Sequence, residues 1–92
     1  MTAVRIQLSS LLSDHSGAPA ELELEATSLR AALQELERSQ AKLYRSVCDE
    51  TGAVRRHVNL FVGERHVREL GGLDAPLRPG DVVTIIQAVS GG

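Results

Sequence analysis

Apolar and polar positions alternate along the first part of the chain. Val4, Ile6 and Leu8 are interleaved with Arg5 and Gln7, and Leu22, Leu24 and Ala26 with Glu21, Glu23 and Glu25. A period of two puts each set on its own side of an extended backbone, so both segments read as half-buried strands. Between them, Ser13-Asp14-His15-Ser16-Gly17-Ala18-Pro19 is rich in turn formers and predicts a hairpin closed by a loose loop. From Thr27 the period changes. Leu29, Ala32, Leu33 and Leu36 fall at i, i+3, i+4 and i+7 while Arg30, Glu35, Glu37 and Arg38 face away, which predicts one amphipathic helix. Thr27 or Ser28 caps its start, and it ends near Ser39 or Gln40. A shorter pattern, Leu43 with Val47 and Tyr44 with Cys48, predicts a second short helix stopped by Asp49-Glu50-Thr51-Gly52.

In the second half, Val58, Leu60 and Val62 alternate with Asn59 and Phe61 and predict a third strand with its aliphatic side inward. A brief extended piece near His66 to Arg68 follows, then a connection anchored inward by Leu73 and Leu77. Pro79-Gly80 fits the two central positions of a type II turn. The run Val82 to Ala88 is the most apolar in the chain and predicts a central strand. If Val83 and Ile85 point at the helix, Thr84 and Ile86 lie on the opposite face, where an exposed Ile86 calls for a reason. Strand, strand, helix, strand, short strand, strand is the order of an α+β protein of the β-grasp (ubiquitin-like) architecture. That architecture is a mixed sheet of four to five strands with one main helix packed across it and the last strand beside the first. Residues 1–92 read as a single domain, with 88–92 a flexible tail.

Composition narrows the functions available. The chain has 92 residues, 42% of them hydrophobic and 2% aromatic, with a formal charge of -2, so one small core must serve a slightly acidic chain. Without a basic block there is no electrostatic footing for nucleic acid. The single cysteine, Cys48, excludes an internal disulfide, and no Cys/His spacing suits a metal. No signal peptide and no apolar run near the ~20 residues of a membrane span is present, so no membrane role and a cytoplasmic location are expected. A phosphate-binding loop is missing as well. His15, His57 and His66 fall on three different predicted elements and read as ordinary surface or edge histidines. Cys48 reads as a packed thiol, because Asp49 and Glu50 oppose its thiolate. The acidic row Glu21, Glu23 and Glu25 is a solvated face or a surface for a basic partner. No catalytic residue, bound metal or cofactor is expected, so the protein is not read as an enzyme.

The unusual feature is the run Gln87-Ala88-Val89-Ser90-Gly91-Gly92. Two glycines without side chains can thread a narrow channel in another protein and deliver a terminal carboxylate to a reacting centre. A carboxylate is a poor electrophile, so one oxygen must first become a leaving group, for example by adenylation, and that implies an ATP-using partner. An activated acyl carbon can then receive sulfur, giving a thiocarboxylate, or an amine. A diglycine with no role is the alternative.

Taken together, Thr27-Ser28-Leu29-Arg30-Ala31-Ala32-Leu33, Val58-Asn59-Leu60-Phe61-Val62, and Leu77-Arg78-Pro79-Gly80-Asp81-Val82-Val83-Thr84-Ile85-Ile86 leading to Gly91-Gly92 resemble the ThiS/MoaD family of ubiquitin-like sulfur carriers. From His57 onward the likeness is to members serving actinobacterial cysteine biosynthesis, through Val67-Arg68, Gly71-Gly72-Leu73, Gly80-Asp81, Val83-Thr84-Ile85 and Ala88-Val89. The resemblance implies that a ubiquitin-activating-type enzyme adenylates the Gly92 carboxylate while Val89, Ser90 and Gly91 thread its active site. Sulfur then displaces AMP, and the thiocarboxylate feeds a sulfur-accepting enzyme. In the cysteine branch that enzyme is a pyridoxal-phosphate cysteine synthase, with a zinc metallopeptidase releasing the product. ATP, pyridoxal phosphate and zinc then belong to partners. Gln87 departs from a proline common in relatives, and Gly63-Glu64 from an Asn-Gly or Asn-Asp turn. Partner docking is expected on the sheet face opposite the helix, through Phe61, Thr84, Ile86 and Ala88, unless Phe61 is tucked under Arg65 to Leu70. Other readings are the small subunit of molybdopterin synthase, a ubiquitin-like modifier joined through Gly92 to lysines, and a β-grasp interaction module with incidental glycines.

Overall fold

In a computed structural model, residues 2–87 are described. The elements run β1 (Ala3–Leu8), α1 (Ser10–Ser16), β2 (Glu21–Glu25), α2 (Leu29–Ser39), α3 (Ala41–Val47), β3 (Val58–Val62), β4 (Arg65–His66), a 3-10 turn (Val67–Leu70) and β5 (Val82–Gln87). Five strands form one sheet in the order β2-β1-β5-β3-β4. β5 lies parallel to β1 and antiparallel to β3, which puts the most apolar strand in the middle, as its composition requires.

Residues of period two sort cleanly between the two faces. Val4, Ile6, Leu60, Val83 and Ile85 are at most 2% exposed and meet Leu29, Ala32, Leu33 and Leu36 of α2, with Leu12 of α1 and Leu43 and Val47 of α3 closing the same core. The Ser28 hydroxyl accepts from the Ala31 amide at 3.1 Å, so Ser28 rather than Thr27 caps α2. The Pro79-Gly80 turn forms as expected. Asp81 N–H donates to the Arg78 carbonyl at 3.0 Å, and Gly80 takes φ 88°, where a side chain would be strained.

Two expectations need correction. The loose loop after β1 is a helix. Ser9 accepts from the Leu12 amide, Gly17 ends the helix at φ 75°, and Leu12 is fully buried, so capping and one anchoring leucine hold seven residues helical among turn formers. The extended piece near His66 to Arg68 is shorter than expected. β4 covers Arg65–His66, and His66 Nδ1 accepts from the Arg68 amide at 3.1 Å to start the 3-10 turn.

Candidate docking face and the root of the C-terminal segment

All three helices pack on one side of the sheet. The other side is laid out by strand register. Glu21 of β2 pairs with Gln7 of β1, Gln7 with Thr84 of β5, Thr84 with Phe61 of β3, and Phe61 with His66 of β4, giving one row across five strands. Beside it Ile86 pairs with Asn59, and on the other flank Arg5 pairs with Val82. Phe61, Thr84 and Ile86 therefore share one face, as the alternation predicts. Ile86 is 38% exposed while its neighbour Ile85 is fully buried. Ala88 lies outside the described residues.

Phe61 is half-buried, and its ring stands edge-on to the imidazole of His66, with centroids 5.1 Å apart and planes at 88°. His66 Nδ1 accepts a backbone N–H, so the proton sits on Nε2, which donates to Asn59 Oδ1 at 3.0 Å. The imidazole is held from both nitrogens and braces the phenyl ring from β4. Phe61 thus meets the Arg65 to Leu70 segment through His66 and stays half-buried. Asn59 and His66, read from sequence as a spacer and an edge histidine, form the polar rim of the patch. Asn59 is there by the parity of β3, and only the register of a two-residue strand brings His66 beside it. The Arg5–Glu21 pair at 3.2 Å marks the opposite rim, exposed enough to contribute under about 1 kcal/mol.

Cys48 stands on the far side of the fold from this face, 1% exposed. Burial pushes its thiol up, Asp49 adds to the shift, and a hydrogen bond from Tyr44 only partly opposes it. The turn after it is organised by Asp49, whose Oδ1 accepts from Thr51 N at 2.8 Å, Thr51 Oγ1 at 2.6 Å and Ala53 N at 3.2 Å. Among the described residues, no cluster of three His, Cys, Asp or Glu side chains could hold a metal ion, and no helix is long and apolar enough to cross a membrane.

β5 carries the open face directly into the C-terminal segment. Ser9 N–H donates to the Ile85 carbonyl at 3.0 Å, and Gln87 N–H points back to Ser9 Oγ at 3.4 Å. Gln87 thus turns its amide toward β1 and away from the β3 ladder, so the site can lose that N–H without breaking a sheet bond. Val89, Ser90, Gly91 and Gly92 lie outside the described residues.

A five-stranded mixed sheet, with parallel first and last strands and a helix across one face, is the ubiquitin-like β-grasp fold of small carrier and modifier proteins. The chain belongs to the ThiS family, which it matches over residues 11–92. It is 31% identical over 91 residues to the sulfur carrier protein CysO of Mycobacterium tuberculosis, covering 97% of this chain and 98% of that protein. The crystal structure of M. tuberculosis CysO superposes with a TM-score of 0.80 at 30% identity, over 94% of this chain and 99% of that one. A chain of the Amycolatopsis orientalis BexX/CysO complex gives 0.82 at 28%, covering 97% and 99%. The small archaeal modifier protein 1 of Methanosarcina acetivorans gives 0.84 at 26%, covering 100% and 98%.

Proposed function

We propose that this protein is a sulfur carrier, a cosubstrate rather than a catalyst. An ATP-dependent enzyme of the ubiquitin-activating type joins AMP to the Gly92 carboxylate with release of pyrophosphate. A sulfur nucleophile attacks the acyl carbon, AMP leaves, and the resulting thiocarboxylate delivers sulfur to a biosynthetic enzyme, a cysteine synthase in the reading nearest to CysO. The observation that carries this is the end-to-end match to CysO together with the family match through residue 92.

The fold supplies a handle for that chemistry. Phe61, Thr84 and Ile86 offer an apolar patch with a polar rim, the composition of a protein contact. Five residues follow Gln87, and fully extended they reach at most about 17 Å. A partner that grips the open face is then close enough to draw Gly91 and Gly92 into a channel.

The test is to incubate the full chain with the activating enzyme of its host, ATP and hydrosulfide, and to weigh the intact protein. Wild type should gain the difference between one sulfur and one oxygen atom, and so should Cys48→Ala, whereas a chain lacking Gly92 should gain nothing. No gain in wild type, or the same gain in the chain lacking Gly92, would overturn the reading. Likeness to an archaeal small modifier favours a second reading, conjugation of Gly92 to lysines of other proteins. High-mass adducts that depend on Gly92 would mark it.

A further inference from the structure

At the end of the sheet where β5 stops, four segments remote in sequence converge on one groove of about 290 Å³. His15 comes from the last turn of α1, Arg45 and Ser46 from the last turn of α3, Arg55 and His57 from the approach to β3, and Gln87 from the end of β5. None of these six carries a carboxylate. His15, Arg45, Arg55 and His57 are all exposed. Arg55 Nε donates to the Arg45 carbonyl at 3.0 Å, which ties one guanidinium to the end of α3.

What sets these cations apart is their convergence, since Arg56, Arg65, Arg68 and Arg78 also have no carboxylate at ion-pair distance among the described residues but do not line this groove. Arg5, Arg30 and Arg38 each hold a carboxylate, from Glu21, Asp74 and Glu35. Among the described residues neither Arg45 nor Arg55 has a carboxylate at ion-pair distance. On their other side they border a groove that also contains Glu37, Asp49 and Glu50. Asp49 is already committed to three hydrogen bonds of its own turn. In a chain whose net charge is -2, two arginines and two histidines are thus gathered at the root of the C-terminal segment.

We infer that this groove receives acidic side chains of the activating enzyme at the mouth of the channel that the C-terminal segment enters. The inference rests on the carrier reading and adds a second contact to it. A channel that admits residues 88–92 must open opposite Gln87, and Gln87 lines the groove. An Asp or Glu on that rim meets two guanidinium groups, which bind carboxylates in a planar, two-pronged geometry. Such a contact steers approach and orients the segment before the apolar face seats, and salt weakens it.

The experiment is pyrophosphate exchange by the activating enzyme, measured against carrier concentration at low and high sodium chloride. Arg45→Glu keeps the carbonyl that Arg55 uses, so it tests charge without touching that bond, and the Arg45→Glu/Arg55→Glu double variant strengthens the effect. Arg38→Glu, on the outer face of α2, is the charge-matched control for Arg45→Glu, and Arg38→Glu/Arg78→Glu, both exposed and outside the groove, is the control for the double variant. The double variant should raise KM about tenfold or more at low salt with kcat retained, and the defect should shrink as salt rises. Both controls should stay near wild type. Equal KM values for the double variant and its control, or a defect indifferent to salt, would overturn the inference. Inorganic phosphate that binds the groove without competing with the enzyme would mark a small-anion site instead, and so would overturn it. If wild type is no better a substrate than a chain lacking Gly91 and Gly92, the carrier reading fails and takes this one with it. If that deletion abolishes exchange and the arginines do not matter, only the acidic-rim contact falls.

Discussion

Ile85 and Ile86 are neighbours on β5 with the same side chain and opposite surroundings, so substituting each separately divides stability from docking. Ile85 is fully buried between Leu8 of β1 and Leu60 of β3, and Ile85→Ala leaves a cavity in the centre of the core. Such truncations cost about 2–5 kcal/mol. A 92-residue domain holds roughly 5–14 kcal/mol in total. At about 4–8 °C per kcal/mol, Tm should fall by roughly 8–40 °C. Ile86 is already 38% exposed and faces Asn59 across the ladder, so Ile86→Asp places no charge in the core and meets no carboxylate in the paired position. Its cost to folding should be about 1 kcal/mol, mostly from the poor fit of Asp to a strand. At a docked interface the same change buries an unpaired charge, worth about 2 kcal/mol or more, which is a thirtyfold or greater rise in KM for activation. Urea unfolding and pyrophosphate exchange on the two variants measure both quantities. An Ile86→Asp protein as unstable as Ile85→Ala would refute the face assignment. One activated like wild type would refute the docking patch.

Three further outcomes follow from the geometry. His66→Ala removes the edge contact to Phe61 and the cap of the 3-10 turn, and should cost about 1–2 kcal/mol in urea unfolding, with slower activation as Phe61 loses its brace. Gln87→Pro should shift Tm by no more than a few degrees, because the lost N–H serves only the long contact to Ser9; a drop like that of Ile85→Ala would mean the amide belongs to the ladder. The Asp49 carboxyl is held below its ordinary range first by the Thr51 hydroxyl, with Arg55 a minor influence. A lowered folded-state value contributes stability that is complete above the ordinary carboxylate range and lost as pH falls through the folded value. Tm should therefore decline below about pH 4, and Asp49→Asn should flatten that decline.

β1, β2, β3, β5 and α2 were legible because each repeats one period over five residues or more, and the repeat itself says which side chains face inward. Phe61, Thr84 and Ile86 could be put on one face by parity alone. Their rim could not, since His66 joins it through a two-residue strand whose pairing depends on the turn at Gly63-Glu64. The helix at Ser10–Ser16 was hidden because Ser and Asp make up four of its seven residues, although Ser9 and Gly17 stand at the spacing of a start and a stop. The arginine groove has no local signature. Its members come from positions 15, 45, 46, 55, 57 and 87, and only the folded chain makes them neighbours.

The C-terminal segment is spliced onto the middle strand of the sheet, not onto an edge. A pull along it, such as withdrawal from a tight channel would exert, acts in line with β5 and loads the ladders to β1 and β3 together in shear. Bonds stressed side by side must fail at once, whereas those of an edge hairpin peeled from its end fail in sequence. The architecture therefore suits the proposed carrier role, since a pull on the last residues would not unravel the domain that carries them.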